Sequence, residues 1–171
     1  MNSLFARQAL LPDGWAHDVR LAWNGAGWLE SVAVDSVPRQ GEETADLVIP
    51  GMVNLHSHAF QRALAGLTEI AGDGPDSFWS WRELMYHFAR HVTPEHIEAI
   101  AAQLFTECLR HGYTSLCEFH YLQRDHGGAP YARPAETAER IVAAARTSGI
   151  GLTVLPVLYS HAGFNLSLIH I

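Results

Sequence analysis

His56 and His58 are the residues best suited to chemistry. A single serine separates them at the end of an apolar run, Met52-Val53-Asn54-Leu55. In an extended strand, side chains two apart share a face, so both imidazoles would enter one space. Two neutral histidines that converge at the C-terminal end of a strand can bind a divalent cation, most often zinc. The same His-x-His pair on a solvated loop would look no different in isolation, so the surrounding elements decide. His87, His91, His96 and His111 fall on or beside helical segments and read as solvated, whereas His120 and His161 sit near strand ends. Glu118 alternates with Phe119 and reads as a buried, paired carboxylate, and Cys108 lies on an apolar helical face and reads as core.

The elements that must position these residues change character along the chain. Residues 1–50 read as short strands, Leu4–Leu11, His17–Trp23 and Trp28–Val34, followed by a polar stretch to Asp46. Pro12-Asp13-Gly14 and Asn24-Gly25 mark the turns, the second as a two-residue hairpin with positive φ at both positions. From Leu47 an apolar stretch runs through Pro50-Gly51 into the strand ending at His58. Gly72, Gly74 and Pro75 mark a loop, and the spacing predicts a helix over Phe78–Arg90.

The next helix has Thr93 as N-cap, Pro94 at the first helical position and an apolar stripe from Ile97 to Leu109. A strand at Tyr113–Phe119, a loop from His120 to Arg133, a helix over Pro134–Ser148 stopped by Gly149, and a strand at Gly151–Leu158 complete the pattern. Strand, helix, strand, helix, strand argues an α/β fold with a parallel sheet. Half of a doubly wound sheet and the opening of a (β/α)8 barrel both satisfy it. No Gly-x-Gly-x-x-Gly follows the first of these strands, so a dinucleotide site has no support.

Composition excludes several function classes. The 171 residues are 48% hydrophobic and 17% charged, enough apolar content for a core. The net charge of −7 argues against nucleic acid or an anionic membrane surface as partner. No apolar run reaches the length of a membrane span. Two cysteines make no disulfide framework, and no signal peptide is apparent, so a cytoplasmic protein is expected.

Ile49-Pro50-Gly51-Met52-Val53-Asn54-Leu55-His56-Ser57-His58 resembles the metal-binding first strand of the amidohydrolase superfamily. Ala59-Phe60-Gln61-Arg62-Ala63, Phe78-Trp79-Ser80-Trp81-Arg82, Gly112-Tyr113-Thr114-Ser115, Glu118-Phe119-His120-Tyr121 and Val157–Phe164 are together similar to its formimidoylglutamate deiminase family. The resemblance covers about residues 1–164. It implies the first three strand–helix units of a metal-dependent (β/α)8 hydrolase barrel over 51–164, preceded over 1–50 by part of a small β-sandwich.

It also implies one divalent metal ion, zinc by preference, on His56 and His58, with Gln61, Arg82 and Tyr121 as substrate contacts. The implied reaction is hydrolytic deimination of the small molecule N-formimino-L-glutamate to N-formyl-L-glutamate and ammonia, in histidine degradation. A homodimer is possible. Another aminohydrolase of the superfamily, such as a guanine-type deaminase, has less need of Arg82 and Tyr121. A non-catalytic binding module is the reading from a different class.

The family's proton-transfer residues and remaining metal ligands have no counterpart here, so no catalytic residue is assigned; they are expected beyond Ile171. Two histidines do not complete a zinc site of three protein ligands plus water. The resemblance stops at Asn165–Ile171, an apolar tail that reads as an anomaly of a truncated gene sequence, and the 171-residue chain alone is expected to be inactive.

Overall fold

The computed structural model describes residues 2–69, 78–157, 161–163 and 166–167, without the side chains of residues 78–80 or of any residue from 161 on. The glycine-marked loop around 72–75, the side chains of Trp79 and His161, and nearly all of the 165–171 tail lie outside what is described. The chain divides into two compact units, Met1–Gly51 and Met52–Ile171.

The first unit is a sheet of four strands: β1 (Asn2–Leu11), β2 (Gly14–Trp23), β3 (Leu29–Ala33) and β4 (Glu43–Val48), in the order β3-β2-β1-β4. β1 and β2 form a hairpin, and β4 runs parallel to β1. Small and branched residues, Ala6, Ala9 and Val19, make its core. Glu42 ties the sheet to its loops. It accepts from Ser3 Oγ at 2.7 Å and from both Nε and Nη2 of Arg20. These bonds hold its carboxyl down at about 2.

Two elements of this unit differ from the sequence pattern. Asn24-Gly25 is not a two-residue hairpin turn. Asn24 Oδ1 accepts from the backbone N–H groups of Ala26 and Trp28 and so organises a longer loop. The positive φ in that loop falls on Gly27, at 83°, where the absent Cβ removes the steric penalty. The polar stretch also hides β4. Its residues are mostly exposed, so no apolar alternation announces the strand. The chain leaves that sheet at Val48, since Pro50 has no N–H to continue a ladder.

The second unit begins with β5 (Met52–Ser57), a 3-10 turn over Ala59–Leu64, and α1 (Phe78–Ala89). α2 (Pro94–Arg110), β6 (Tyr113–His120), α3 (Glu136–Ser148) and β7 (Gly151–Pro156) follow. β5, β6 and β7 form a parallel sheet in sequence order. Two further short strands, β8 (His161–Gly163) and β9 (Leu166–Ser167), pair with each other. The unit is thus α/β.

α2 begins as its sequence dictates. Thr93 Oγ1 accepts from His96 N, the His96 ring accepts from Thr93 N, and Pro94 takes the first helical position. α3 stops at Gly149, whose φ of 82° closes the helix in the left-handed region. The helices bury Ile97, Ala101, Phe105, Ile141 and Ala144 against Leu116 of the central strand and against Phe60 and Leu64 of the 3-10 turn. Alternation along β6 is sharp. Leu116, Glu118 and His120 point into this core, while Ser115, Cys117 and Phe119 line the other, half-buried face.

Candidate metal centre

β5 delivers His56 and His58, and its register explains how. Asn54 lies opposite Leu116 and Ser57 opposite Glu118, so β5 spends one residue more than β6 over that step. A bulge of this kind bends a strand end and re-aims its side chains. Ser57 turns into the core and is buried, whereas His56 stays exposed and His58 half-buried. The two imidazole rings stand edge to face, with centroids 5.0 Å apart.

β6 fixes the pair from behind. His58 Nδ1 lies 3.1 Å from the carbonyl oxygen of Phe119. A carbonyl can only accept, so Nδ1 carries the proton and the neutral ring keeps its lone pair on Nε2, the tautomer a metal ligand needs. The Phe119 and Tyr121 rings meet the same imidazole edge-on, with centroids at 5.2 and 5.5 Å.

Glu118 sits directly beneath, 1% exposed. Its Oε2 accepts from Ser57 Oγ and its Oε1 from the Ala59 N–H, both at 2.6 Å. Burial pushes this carboxyl above the usual carboxylate range, against the opposing pull of those two hydrogen bonds.

The 3-10 turn that begins at Ala59 brings the chain back over the site. Gln61 N–H donates to His58 O at 2.9 Å, and the Gln61 side chain then reaches Tyr121, donating from Nε2 to its hydroxyl at 2.9 Å. The sulfur of Met85 on α1 lies 3.7 Å from the same hydroxyl. Arg82, on α1, donates from Nε to Tyr86 Oη at 2.9 Å, and its guanidinium lies over the Tyr86 ring. The structure therefore gathers His56, His58, Gln61 and Tyr121 at the end of β5 and β6, with Arg82 engaged on α1.

His120 sits at a strand end but points away from this group. It is 2% exposed, and its Nε2 lies 2.9 Å from Thr137 Oγ1 on α3. Thr137 spends its one hydroxyl hydrogen on Leu122 O at 2.6 Å, so His120 must donate from Nε2. Burial lowers its pKa to about 4, so it is neutral at physiological pH and acts as a strand-to-helix tie.

Glu118 carries more of the site than its sequence position suggests; the available signal was its alternation with Phe119, which places it inside. Among the described residues, no group of three or more His, Cys, Asp or Glu side chains is placed to hold a metal ion. As a donor set, two imidazoles suit a borderline cation such as zinc but fall short of the three protein ligands of a catalytic zinc site.

A parallel sheet flanked by helices, with paired histidines at a strand end, defines a class. The chain belongs to the amidohydrolase family, whose model matches residues 47–161. Residues 1–46 match the model described as formimidoylglutamate deiminase HutF, N-terminal domain. A formimidoylglutamate deiminase from Pseudomonas aeruginosa is 54% identical over 164 residues, which are 96% of this chain and 36% of that protein.

The crystal structure of an amidohydrolase from Brucella melitensis matches with a TM-score of 0.91 at 50% identity, over 98% of this chain and 37% of that one. The fold likeness extends to an atrazine chlorohydrolase from Arthrobacter aurescens TC1 complexed with zinc, with a TM-score of 0.69 at 18% identity, over 91% of this chain and 35% of that one. The chain thus spans little more than a third of the length of these relatives.

Proposed function

We propose that this chain supplies the first three strand–helix units, over 51–164, of a (β/α)8 barrel, preceded over 1–50 by part of a small β-sandwich. We propose further that the whole enzyme is a cytoplasmic, zinc-dependent hydrolase that converts N-formimino-L-glutamate and water to N-formyl-L-glutamate and ammonia. The observation that carries the reading is the convergence of His56, His58, Gln61 and Tyr121, with Gln61 bonded to Tyr121 at 2.9 Å. The 54% identity to a formimidoylglutamate deiminase supports the substrate.

His56 and His58 would hold the ion, with further ligands from the portion of the relatives' length that this chain does not span. When bound, a divalent ion there supplies Lewis acidity and lowers the pKa of water toward neutrality.

The chain's own residues then bind and orient. The substrate carries two carboxylates, and Arg82 can meet one with a fork of parallel N–H donors. Gln61 donates into the Tyr121 oxygen, and the phenol hydrogen turns toward the Met85 sulfur. A thioether is a weak acceptor, and a substrate carboxylate would outcompete Met85 for that hydrogen. In the reaction the water oxygen bonds to the formimino carbon, and the bond from that carbon to the terminal nitrogen breaks. Ammonia leaves, and the residues that carry the protons lie outside those described here. A homodimer fits this reading, as closed C2 dimers are the commonest soluble assembly.

The test compares ammonia release by the complete protein from N-formimino-L-glutamate and from guanine. Release from the first alone is the expected result. Release from guanine alone would replace the substrate while keeping the family.

A further inference from the structure

We propose that Glu118 is a positioning residue for the histidine pair, a buried clamp that grips the chain on both sides of His58 and so sets the direction in which its ring nitrogen faces the metal. The inference rests on His56 and His58 being metal ligands.

Three consecutive residues of the histidine segment are held by two consecutive residues of β6. Ser57 Oγ donates to Glu118 Oε2, His58 Nδ1 donates to Phe119 O, and Ala59 N–H donates to Glu118 Oε1. The two carboxylate bonds are 2.6 Å long, and neither partner is solvent-exposed, since Ser57 is 5% and Ala59 0% exposed. Hydrogen bonds to a charged or strongly polar acceptor in such a place are the stronger ones.

The need for the clamp follows from local structure. The β5 ladder is irregular between Asn54 and Ser57, and regular strand structure ends at Ser57. The 3-10 turn starts at Ala59, and the side chain of its cap residue His58 accepts no bond from the first-turn N–H groups. His58 therefore sits at the joint between strand and turn, its carbonyl taking only the first 3-10 bond from Gln61 N–H, and the Glu118 carboxylate bonds on either side of it. An apolar residue at 118 would fill the space and leave the Ala59 N–H buried and unpaired. A glutamine could reproduce the geometry, with its carbonyl accepting from Ala59 and its amide donating to a rotated Ser57 hydroxyl.

The experiment uses the complete, metal-loaded protein and three variants: Glu118→Met, Glu118→Gln and Ser57→Ala. Metal affinity is read by competition with a chelator, the ligand geometry by the visible spectrum of the cobalt form, and fold integrity by the melting temperature of the metal-free protein. The expected result is an affinity about 10–100-fold weaker in Glu118→Met with an altered cobalt spectrum, the size seen when outer partners of metal ligands are removed. Glu118→Gln should return to within about threefold of the parent, and Ser57→Ala should lie between.

Parental affinity and spectrum in Glu118→Met would overturn the clamp, as would a Glu118→Gln variant as weak as Glu118→Met. Should Glu118→Met fail to fold, Ser57→Ala decides, with weakened affinity supporting the clamp and parental affinity refuting it. The underlying metal reading fails separately. In that case the parent holds no stoichiometric metal, and His56→Ala changes nothing.

Discussion

Acidification from about pH 7 to about pH 4 should weaken the second unit by about 3 kcal/mol through one residue, His120. The folded chain holds this imidazole neutral, with its pKa lowered from 6.5 to about 4 by burial. Above pH 6.5 both folded and unfolded chains carry it neutral, and it contributes no pH dependence. Below 6.5 the unfolded chain takes up a proton that the folded chain refuses until about pH 4. Stability therefore falls as pH falls across that window, by up to about 1.4 kcal/mol per pH unit.

Glu118 acts in the opposite sense. Its carboxyl is raised by burial, so the folded chain binds that proton more readily, and acidification through its window strengthens the fold. The parent's profile alone would thus understate His120. The assay compares urea unfolding, followed by far-UV circular dichroism, in the parent and His120→Gln at several pH values from 7 to 4. Glutamine cannot titrate and can still donate to Thr137 Oγ1. The stability gap between the two proteins should shift by about 3 kcal/mol in favour of the variant over the window. Parallel profiles would refute the reasoning, because His120 would then titrate alike in both states.

Other consequences follow from the same geometry. A Cβ added at Gly151 would stand 2.9 Å from Ser115 Cβ and 3.3 Å from Thr114 O, so Gly151→Ala should separate β6 from β7 and lower stability by about 1–3 kcal/mol, read as a lower urea midpoint. Tyr121→Phe in the complete enzyme should lower kcat/KM for N-formimino-L-glutamate by about 10–100-fold, chiefly through KM, as for one lost hydrogen bond to a charged group. An unchanged KM would remove Tyr121 from the substrate contacts.

The parallel sheet of the second unit was legible because each strand and each helix carried its own signal. Thr93 and Pro94 open α2, Gly149 closes α3, and apolar periodicity fills the space between. The convergence of His56 and His58 was legible in their spacing at the end of an apolar run, although the bulge before Ser57 and the end of the strand there also aim the pair. β4 was not legible. Glu43–Val48 is a mostly exposed strand that pairs in parallel with β1, and no periodic pattern records such a pairing.

The Asn24 loop was misread because Asn-Gly signals a turn without fixing its length, and here the asparagine side chain bonds two residues further along. Gln61 has no signal of its own. The 3-10 turn folds it back onto Tyr121, sixty positions away in sequence, a contact that local pattern cannot encode.

The most direct test of the account is the metal content of the complete protein, measured by elemental mass spectrometry in the parent, in His56→Ala, in His58→Ala and in the double variant. The account predicts about one equivalent of zinc per chain in the parent, much less in each single variant and none in the double, with ammonia release from N-formimino-L-glutamate falling in step. A double variant that keeps its metal, or a metal-free parent that still releases ammonia, would contradict it.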